Sequence, residues 1–479
     1  MINSHKDTES HKSKNLSNSE ISVEQVTDEP YRLKERSHFL SVLKIRNFMI
    51  FSLSQAISLF GDKLDYMALL AMIAFYSEKY GWQSARAISY LSVIITLPTI
   101  VFGPLAGVLV DRWNRLKVLI FCDSCRAVLV LLIPFIVIRT NSLYLVYSIA
   151  FLVFLFGLFF NTARLSIIPN LVAKRRLLAA NSFMNFVGRI STFLGMFFGG
   201  LIVDWQIWQK IGIKYSWSAG FYLDALTYCF SVFGLILIAI KTNVFGQKFL
   251  YAEDSRSTKK LRYFRPLISS ARIQEKRTFE ELKLAFQYIK QTPKVLFVFT
   301  TILLLVIIGA TAFVLLVPII QSSNPKLGLG VGTKGVGFVA AAGAVGLVLS
   351  SMSFGIIGHR INKEYMMISA FLLLGIITIL MPSLNSFIAL LPLAFIAGLL
   401  ISPIFIIQDT ILHETIPESV RGRIFSAREW LLHLSFGLAC LIIGELTNFF
   451  SKQHLMYFTG SLVVIISIIG FLGVKNKLH

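Results

Sequence analysis

Twelve predominantly apolar runs recur along the chain, at approximately 47–76, 86–110, 117–138, 143–168, 180–202, 218–240, 295–320, 335–357, 365–382, 385–411, 424–448 and 454–474. About 20 apolar residues rising 1.5 Å each cross the hydrocarbon of a bilayer, so each run has the length of a membrane-spanning helix. The pattern predicts an all-α integral membrane protein of twelve transmembrane helices. The longest polar interruption, 241–294, follows the sixth run. It divides the chain into six-helix halves, 47–240 and 295–474, with polar ends at 1–46 and 475–479.

Composition agrees with this class: 55% of the 479 residues are hydrophobic, 15% are charged and the mean hydropathy is +0.70. One soluble core could not bury that much apolar surface. Residues 1–46 are polar, mixed in charge and without the apolar core of a signal peptide, which predicts a disordered cytoplasmic tail.

Charge then orients the helices. With the N-terminus inside, and with the run-starting residues Arg86 and Lys117 counted with the adjoining loops, the cytoplasmic intervals hold 33 of the 46 lysines and arginines, the outer loops 8 and the helices 5. Retention of positive charge on the cytoplasmic side places both termini there. The formal charge of +21 is thus accounted for by orientation and anionic lipid, and no nucleic-acid partner is required. Within 241–294, Phe279, Leu282, Phe286 and Ile289 recur at helical spacing, which predicts an amphipathic connector helix along the inner membrane surface.

Features of the first half return in the second. Gly107, Asp111, Arg112, Asn114 and Arg115 after helix 2 are matched 248 positions later by Gly355, His359, Arg360, Asn362 and Lys363 after helix 8. Ile168-Pro169-Asn170 after helix 4 corresponds, 244 positions on, to Leu412-His413-Glu414 after helix 10. Two pseudo-repeated six-helix bundles form the layout of rocking carriers that bind substrate between their halves.

On these residues the chain resembles the major facilitator superfamily, whose short loop signature is matched by Gly107-x-x-x-Asp111-Arg112-x-x-Arg115. "SQAISLFGD", "GPLAGVLVDRWNR", "RLSIIPNLV" and "IPESVRGRIF" are similar to the branch containing macrolide efflux permeases and the enterobactin exporter. The resemblance implies the major facilitator fold and export of a small molecule driven by the proton gradient. In the loop, Gly107 permits close helix approach, while Asp111, Arg112 and Arg115 can form a lock that breaks as the halves rock. The other reading is a set of positive-inside anchors. His359 replaces the acid expected in the second loop, so that lock is weaker or pH-sensitive, or the substitution is a tolerated one. On helix 5, Gly195, Gly199 and Gly200 are similar to a glycine-rich antiporter motif, with Met196 in place of its proline; they would allow tight helix packing.

Ionisable residues inside the runs cost at least ~2.5 kcal/mol each on insertion scales and suggest function or pairing. Asp62 lies about 22 Å along helix 1, near mid-membrane, and Asp65 shares its face. A carboxylate in such a cavity can exchange a proton as access alternates. Asp62, Asp65, Asp224 and Asp409 are therefore candidates for proton coupling or substrate binding. The alternative for Asp62 and Asp65 is a salt bridge to Arg126 or Arg189 that only holds the halves in shape. Asp123 and Arg126 share a face of helix 3 at a depth comparable with Arg164 on helix 4. With Arg189 on helix 5 they are candidates for a structural or gating ion-pair network.

Enzymatic readings find no support. No metal-spaced histidine cluster, nucleophile elbow or phosphate loop occurs, and Gly328–Gly332 lacks the Lys-Ser/Thr of a P-loop. Cys122 and Cys125 lie on a predicted membrane helix without a second ligand pair, and the four cysteines suggest no disulfide framework.

The expectation is accordingly a secondary carrier, not an enzyme, with neither cofactor nor metal. It would work as a monomer in the bacterial inner membrane, exporting an amphipathic drug, siderophore or related metabolite against protons. A lysophospholipid flippase of the same fold, or a receptor or assembly protein derived from a carrier, are the alternatives.

Overall fold

The structure, a computed structural model, describes residues 42–173, 176–241, 287–322, 329–357, 362–384 and 386–475. Among these residues there is no strand. The first six long helices are α1 Arg46–Tyr80, α2 Ser84–Arg112, α3 Arg115–Thr140, α4 Leu143–Leu171, α5 Leu177–Val203 and α6 Ser216–Lys241. The second six begin with α7, which runs Pro293–Thr311, opens into one wide turn at Ala312–Leu316 and closes with Val317–Gln321. They continue with α8 Thr333–Ile357, α9 Lys363–Leu380, α10 Phe387–Thr415, α11 Glu418–Leu446 and α12 Lys452–Lys475. Eleven of these are long and apolar enough to cross a membrane by length and composition alone. The exception is α1, where Asp62, Lys63 and Asp65 interrupt the apolar run.

The packing repeats. In the first half α1 packs on α5 and α6, α2 on α4, and α3 on α4 and α6; in the second half α7 packs on α11 and α12, α8 on α10, and α9 on α10 and α12. Adding six to each number of the first set gives the second. The halves meet along α2 with α11 and α5 with α8, which are also equivalent under that shift.

Local chemistry repeats at the same offsets. The Asn114 side chain caps α3 by accepting from the backbone N–H of Leu116 and Lys117, and Asn362 caps α9 by accepting from Glu364 and Tyr365. Behind the first cap, Arg115 donates to Asn170 Oδ1 and to the Ser166 carbonyl, both at 2.8 Å, tying α3 to the end of α4. Behind the second, Lys363 pairs with Glu414 at 2.5 Å, tying α9 to the end of α10. A cation held by neutral acceptors in one half corresponds to an ion pair in the other.

The face where α1 begins is called proximal below, and the opposite face distal. At the distal end one apolar core runs through both halves, joining Met67, Leu70 and Ile73 of α1 with Leu315 of α7, Val336 of α8 and Cys440 of α11. At the proximal end the cores are separate: Phe48, Phe51, Leu119 and Ile238 in the first half, Val298, Ile302, Phe371 and Ile424 in the second. The named contacts between halves are distal as well. Arg86 and Tyr90 on α2 donate to Glu445 on α11 at 3.0 and 2.7 Å, and Asp204 after α5 accepts from the Lys334 N–H of α8 at 2.7 Å. The halves are closed together distally and part towards the proximal face, leaving a cleft that opens there.

Lipid tails are as apolar as leucine, so helix packing in a bilayer depends on close approach more than on hydrophobic transfer. Glycines supply that approach here. A Cβ at Gly200 of α5 would stand 2.9 Å from the Thr333 carbonyl oxygen and 3.1 Å from Gly337 Cα, both on α8. Gly195 and Gly199 admit α1 in the same way.

Several sequence expectations fall outside the described residues: the tail before residue 42, His359, Arg360, and Phe279, Leu282 and Phe286 of the connector. Gly355 lies in the last turns of α8. Ile289, at the end of the connector, is buried against the core of the second half.

Candidate functional site

The candidate site lies where α1, α3 and α6 meet. Helical spacing sets its parts: Asp62 and Asp65 share a face of α1, Asp123 and Arg126 a face of α3, and Asp224 and Tyr228 a face of α6. Because α1 packs on α6 and α6 on α3, the three faces converge. Arg126 is the hub. Its Nη2 pairs with Asp62 Oδ1 and donates to Tyr228 Oη at 2.7 Å, and its Nη1 pairs with Asp123 Oδ1 at 2.9 Å. The Tyr228 hydroxyl donates to Asp62 at 2.7 Å, closing a ring of three side chains. The guanidinium also lies over the rings of Tyr228 and Phe160, 4.2 and 5.1 Å from their centroids.

Exposure divides the acids. Asp62 keeps 26% of its side-chain surface accessible, whereas Asp65, Asp123 and Asp224 are buried. Asp65 Oδ1 and Asp224 Oδ2 have no hydrogen-bond partner, although Thr227 donates to Asp224 Oδ1 at 3.1 Å. Gly61 is what lets Thr227 and Asp224 approach α1, since any Cβ there would collide with both. Four carboxylates thus gather around one guanidinium, and Arg164 approaches Asp62 from α4 while donating to Asn161 at 2.7 Å. If all four acids were ionised the group would carry surplus negative charge away from bulk water, which is costly unless protons or other cations offset it.

Arg189 is exposed on α5. It precedes Met196 by seven residues and Gly200 by eleven, which puts it within about 20° of the face that α5 turns to α8. Proximal of the distal closure, that face borders the cleft. Across it, Asp409 of α10 lies 3.0 Å from the buried Arg428 of α11, which also pairs with Glu429 at 3.6 Å. Tyr66, Phe313 and Phe436 roof the cleft distally, with ring centroids 5.9 and 6.1 Å apart in succession. Phe313 sits in the wide turn of α7, a distortion that recurs at functional positions in helices.

The residues of the proximal loop between α2 and α3 form their named contacts inside the first half. Asp111 lies 3.7 Å from Arg115, Arg112 is exposed, and a Cβ at Gly107 would meet nothing within 4 Å. Lys63 lays its aliphatic stem against Gly195 of α5, on the side of α1 away from the Asp62–Arg126 pair. The four cysteines are free.

Tyr228, Arg428 and Glu429 complete these clusters, and the sequence reading does not single them out as site residues. The signal for Tyr228 was present: it follows Asp224 by one helical turn and supplies a polar tip on the same face. Two open pockets, of about 360 and 750 Å³, lie at the distal face and not at the carboxylates.

Comparison with known proteins matches this architecture. A family model described as Major Facilitator Superfamily matches residues 51–333 and 299–478. The uncharacterized MFS-type transporter YfiS of Bacillus subtilis (strain 168) is 23% identical over 439 residues, covering 90% of this chain and 94% of that protein. A Bacillus amyloliquefaciens protein named "Putative bacilysin exporter BacE" is 32% identical over 154 residues, 31% of this chain and 35% of its own length. Among solved structures, a bacterial homolog of the human lysosomal transporter Spinster, in an inward-facing and unoccupied conformation, superposes with a TM-score of 0.62 at 13% identity. It covers 90% of this chain and 97% of that one. The nucleoside transporter NupG gives the same TM-score over 89% and 99% of the two chains, again at 13% identity. With twelve long helices in two six-helix halves among the described residues and a family match over nearly all of them, the chain belongs to the Major Facilitator Superfamily of membrane transporters.

Proposed function

We propose that the protein is a proton-coupled exporter of small amphipathic compounds that works by alternating access between its two halves. The observation that carries this reading is the convergence of Asp62, Asp65, Asp123 and Asp224 on Arg126, with Asp62 alone among the four partly exposed. Ionised Asp62 holds the guanidinium and the Tyr228 hydroxyl. A proton on Asp62 removes that charge, releases both donors and loosens α1 from α3. Exchange of the proton for substrate at one wall of the cleft then couples charge to the closing of the halves.

The cargo follows from the lining. Charged Arg189, Asp409 and Glu429 below an aromatic roof suit a molecule with both polar and apolar parts. Export as the direction draws on the BacE relative. The excess of basic residues in the proximal intervals supports a cytoplasmic proximal face with both termini on that side, and the Bacillus relatives support a place in the cytoplasmic membrane of a bacterium. The cleft described above is then the loading state. Residues 47–240 and 295–474 rock as units about the connector 241–294, Gly107, Asp111, Arg112, Arg115 and their second-half counterparts latch the proximal side when it closes, and one chain suffices.

Reconstitution tests this reading. Purified protein in liposomes is offered a panel of macrolides, catecholate siderophores, cationic dyes and lysophospholipids with and without an imposed pH gradient. Flux of at least one compound that rises with the gradient is expected. Absence of gradient-dependent flux across the whole panel contradicts proton-driven export, and flux of lysophospholipid alone favours the flippase.

A further inference from the structure

The wider of the two distal pockets, of about 750 Å³, is lined by both halves. Its walls come from the end of α1 and the start of α2, and from the closing turn of α7 and the α11–α12 junction. Of the described residues that line it, only Glu78 on α1 and Lys452 on α12 are charged.

The pocket has a positive pole. Ser84 and Ala85 open α2, and Lys452 and Gln453 open α12, so two helix N-termini from opposite halves border the cavity. The first turn of a helix leaves backbone N–H groups without intrahelical partners and carries the positive end of the dipole. In α2 no side chain caps that turn, and the backbone ladder begins with the Ala87 N–H donating to the Gln83 carbonyl, yet Ala85 is buried. In α12 the Ser451 hydroxyl accepts from the His454 N–H at 3.2 Å, a residue beyond the amides of Lys452 and Gln453. The Lys452 ammonium is half-buried and pairs with no acid among the described residues.

The other pole is acceptor-rich. Glu78 and Gln321 also border the narrower pocket, which the two helix starts do not reach, so they stand on the wall where the cavities adjoin. Gln321 is only 5% exposed; its Nε2 donates to Thr333 Oγ1 at 2.9 Å, and its Oε1 has no partner. Ser77 Oγ, from the residue before Glu78, is also buried and unpartnered.

Buried polar atoms are ordinarily satisfied, and these ask for partners of two kinds. Free N–H groups beside an unpaired ammonium suit an anion. A carboxylate beside an open amide oxygen suits a cationic donor. Trp82, Ile319 and Phe450 add apolar surface to the same cavity. A free amino acid carries all three parts, whereas an inorganic anion would leave Glu78 and Gln321 unmet and a simple amine would leave the helix ends unmet.

We propose that this pocket binds a free amino acid, its carboxylate at the N-termini of α2 and α12 beside Lys452 and its ammonium at Glu78 and Gln321. Each pole takes one part from each half, so the bound molecule ties the halves together and favours the distal-closed state. The site uses none of the residues around Arg126, and its occupancy does not depend on the exporter reading.

Full-length protein in nanodiscs is screened against the proteinogenic amino acids by its unfolding midpoint, and those that raise it are followed as tritiated ligands by equilibrium dialysis. Saturable binding of at least one, approaching one molecule per chain, is expected. Acetylating its ammonium or esterifying its carboxylate should each weaken binding by about tenfold or more, the loss of one charge-assisted contact. Lys452→Gln and Glu78→Gln should each do so by about tenfold. Lys214→Gln, which borders only the narrower pocket, should leave binding unchanged. No rise in midpoint with any amino acid overturns the proposal. So does a blocked analogue that binds as tightly as its parent, or a double Lys452→Gln/Glu78→Gln variant that binds like the wild type. No readout involves transport, so a negative result leaves proton-driven export standing, and absence of gradient-driven flux leaves the amino-acid site standing.

Discussion

Substitution of Gly200 by alanine should push the protein out of its distal-closed state. The added methyl would lie 2.9 Å from the Thr333 carbonyl oxygen, 3.1 Å from Gly337 Cα and 3.3 Å from Gly337 N. All three are backbone atoms of α8, so no side chain can swing aside; α5 and α8 must separate. Overpacking of this kind costs about 1–3 kcal/mol. The distal-open state loses this contact and bears none of that cost, so the ratio of open to closed should rise by roughly 5-fold to 150-fold. Spin labels at Ile211 and Phe449, exposed distal positions on the two halves, report the separation by electron–electron double resonance. Gly200→Ala should transfer population to a longer distance. Gly103→Ala is the control, because a Cβ there meets nothing within 4 Å. An unchanged distribution in Gly200→Ala, or an equal shift in Gly103→Ala, refutes the argument that α5–α8 backbone contact holds the distal side shut.

Three further outcomes follow from single contacts. Burial raises the Asp204 carboxyl above its ordinary value of 3.8, against the opposing pull of the Lys334 N–H. Its contribution to distal closure is therefore full below that value and is lost as pH rises through the raised one. The label distance should lengthen with rising pH in that window, and Asp204→Asn should flatten the response. Tyr228→Phe removes hydrogen bonds to Asp62 and Arg126 at 2.7 Å each; thermal unfolding should show a loss of about 1–3 kcal/mol, and an unchanged midpoint would mean the ring is slack. Asn114→Ala and Asn362→Ala remove equivalent caps and should each cost about 1 kcal/mol in the same assay. A cost at one cap only would show that the repeat is geometric without being energetic.

Much of the fold is legible in the hydropathy pattern because a bilayer imposes length and polarity on every span. The halves and their repeat are legible as well, since Asn114 and Asn362 cap helices at a fixed offset and Arg115 and Lys363 follow them. Helix α1 is the hardest to read by hydropathy, owing to the same three charges that mark it for function. The candidate site is legible only in pieces. Each acid stands out as a charge in an apolar run, but convergence on Arg126 depends on which helices touch, and no linear pattern contains that. Tyr228 is hidden by being an unexceptional residue in a membrane helix. The wide turn in α7 leaves no signal in Ala312–Leu316, whose residues suit an ordinary helix.

The central claim is that Asp62 exchanges a proton against cargo, and the most direct measurement compares wild type with Asp62→Asn in liposomes loaded with a transported compound. Both proteins should catalyse exchange at equal concentrations of that compound on the two sides. Only the wild type should accumulate it uphill when a pH gradient is imposed. Equal uphill accumulation by Asp62→Asn would contradict the account.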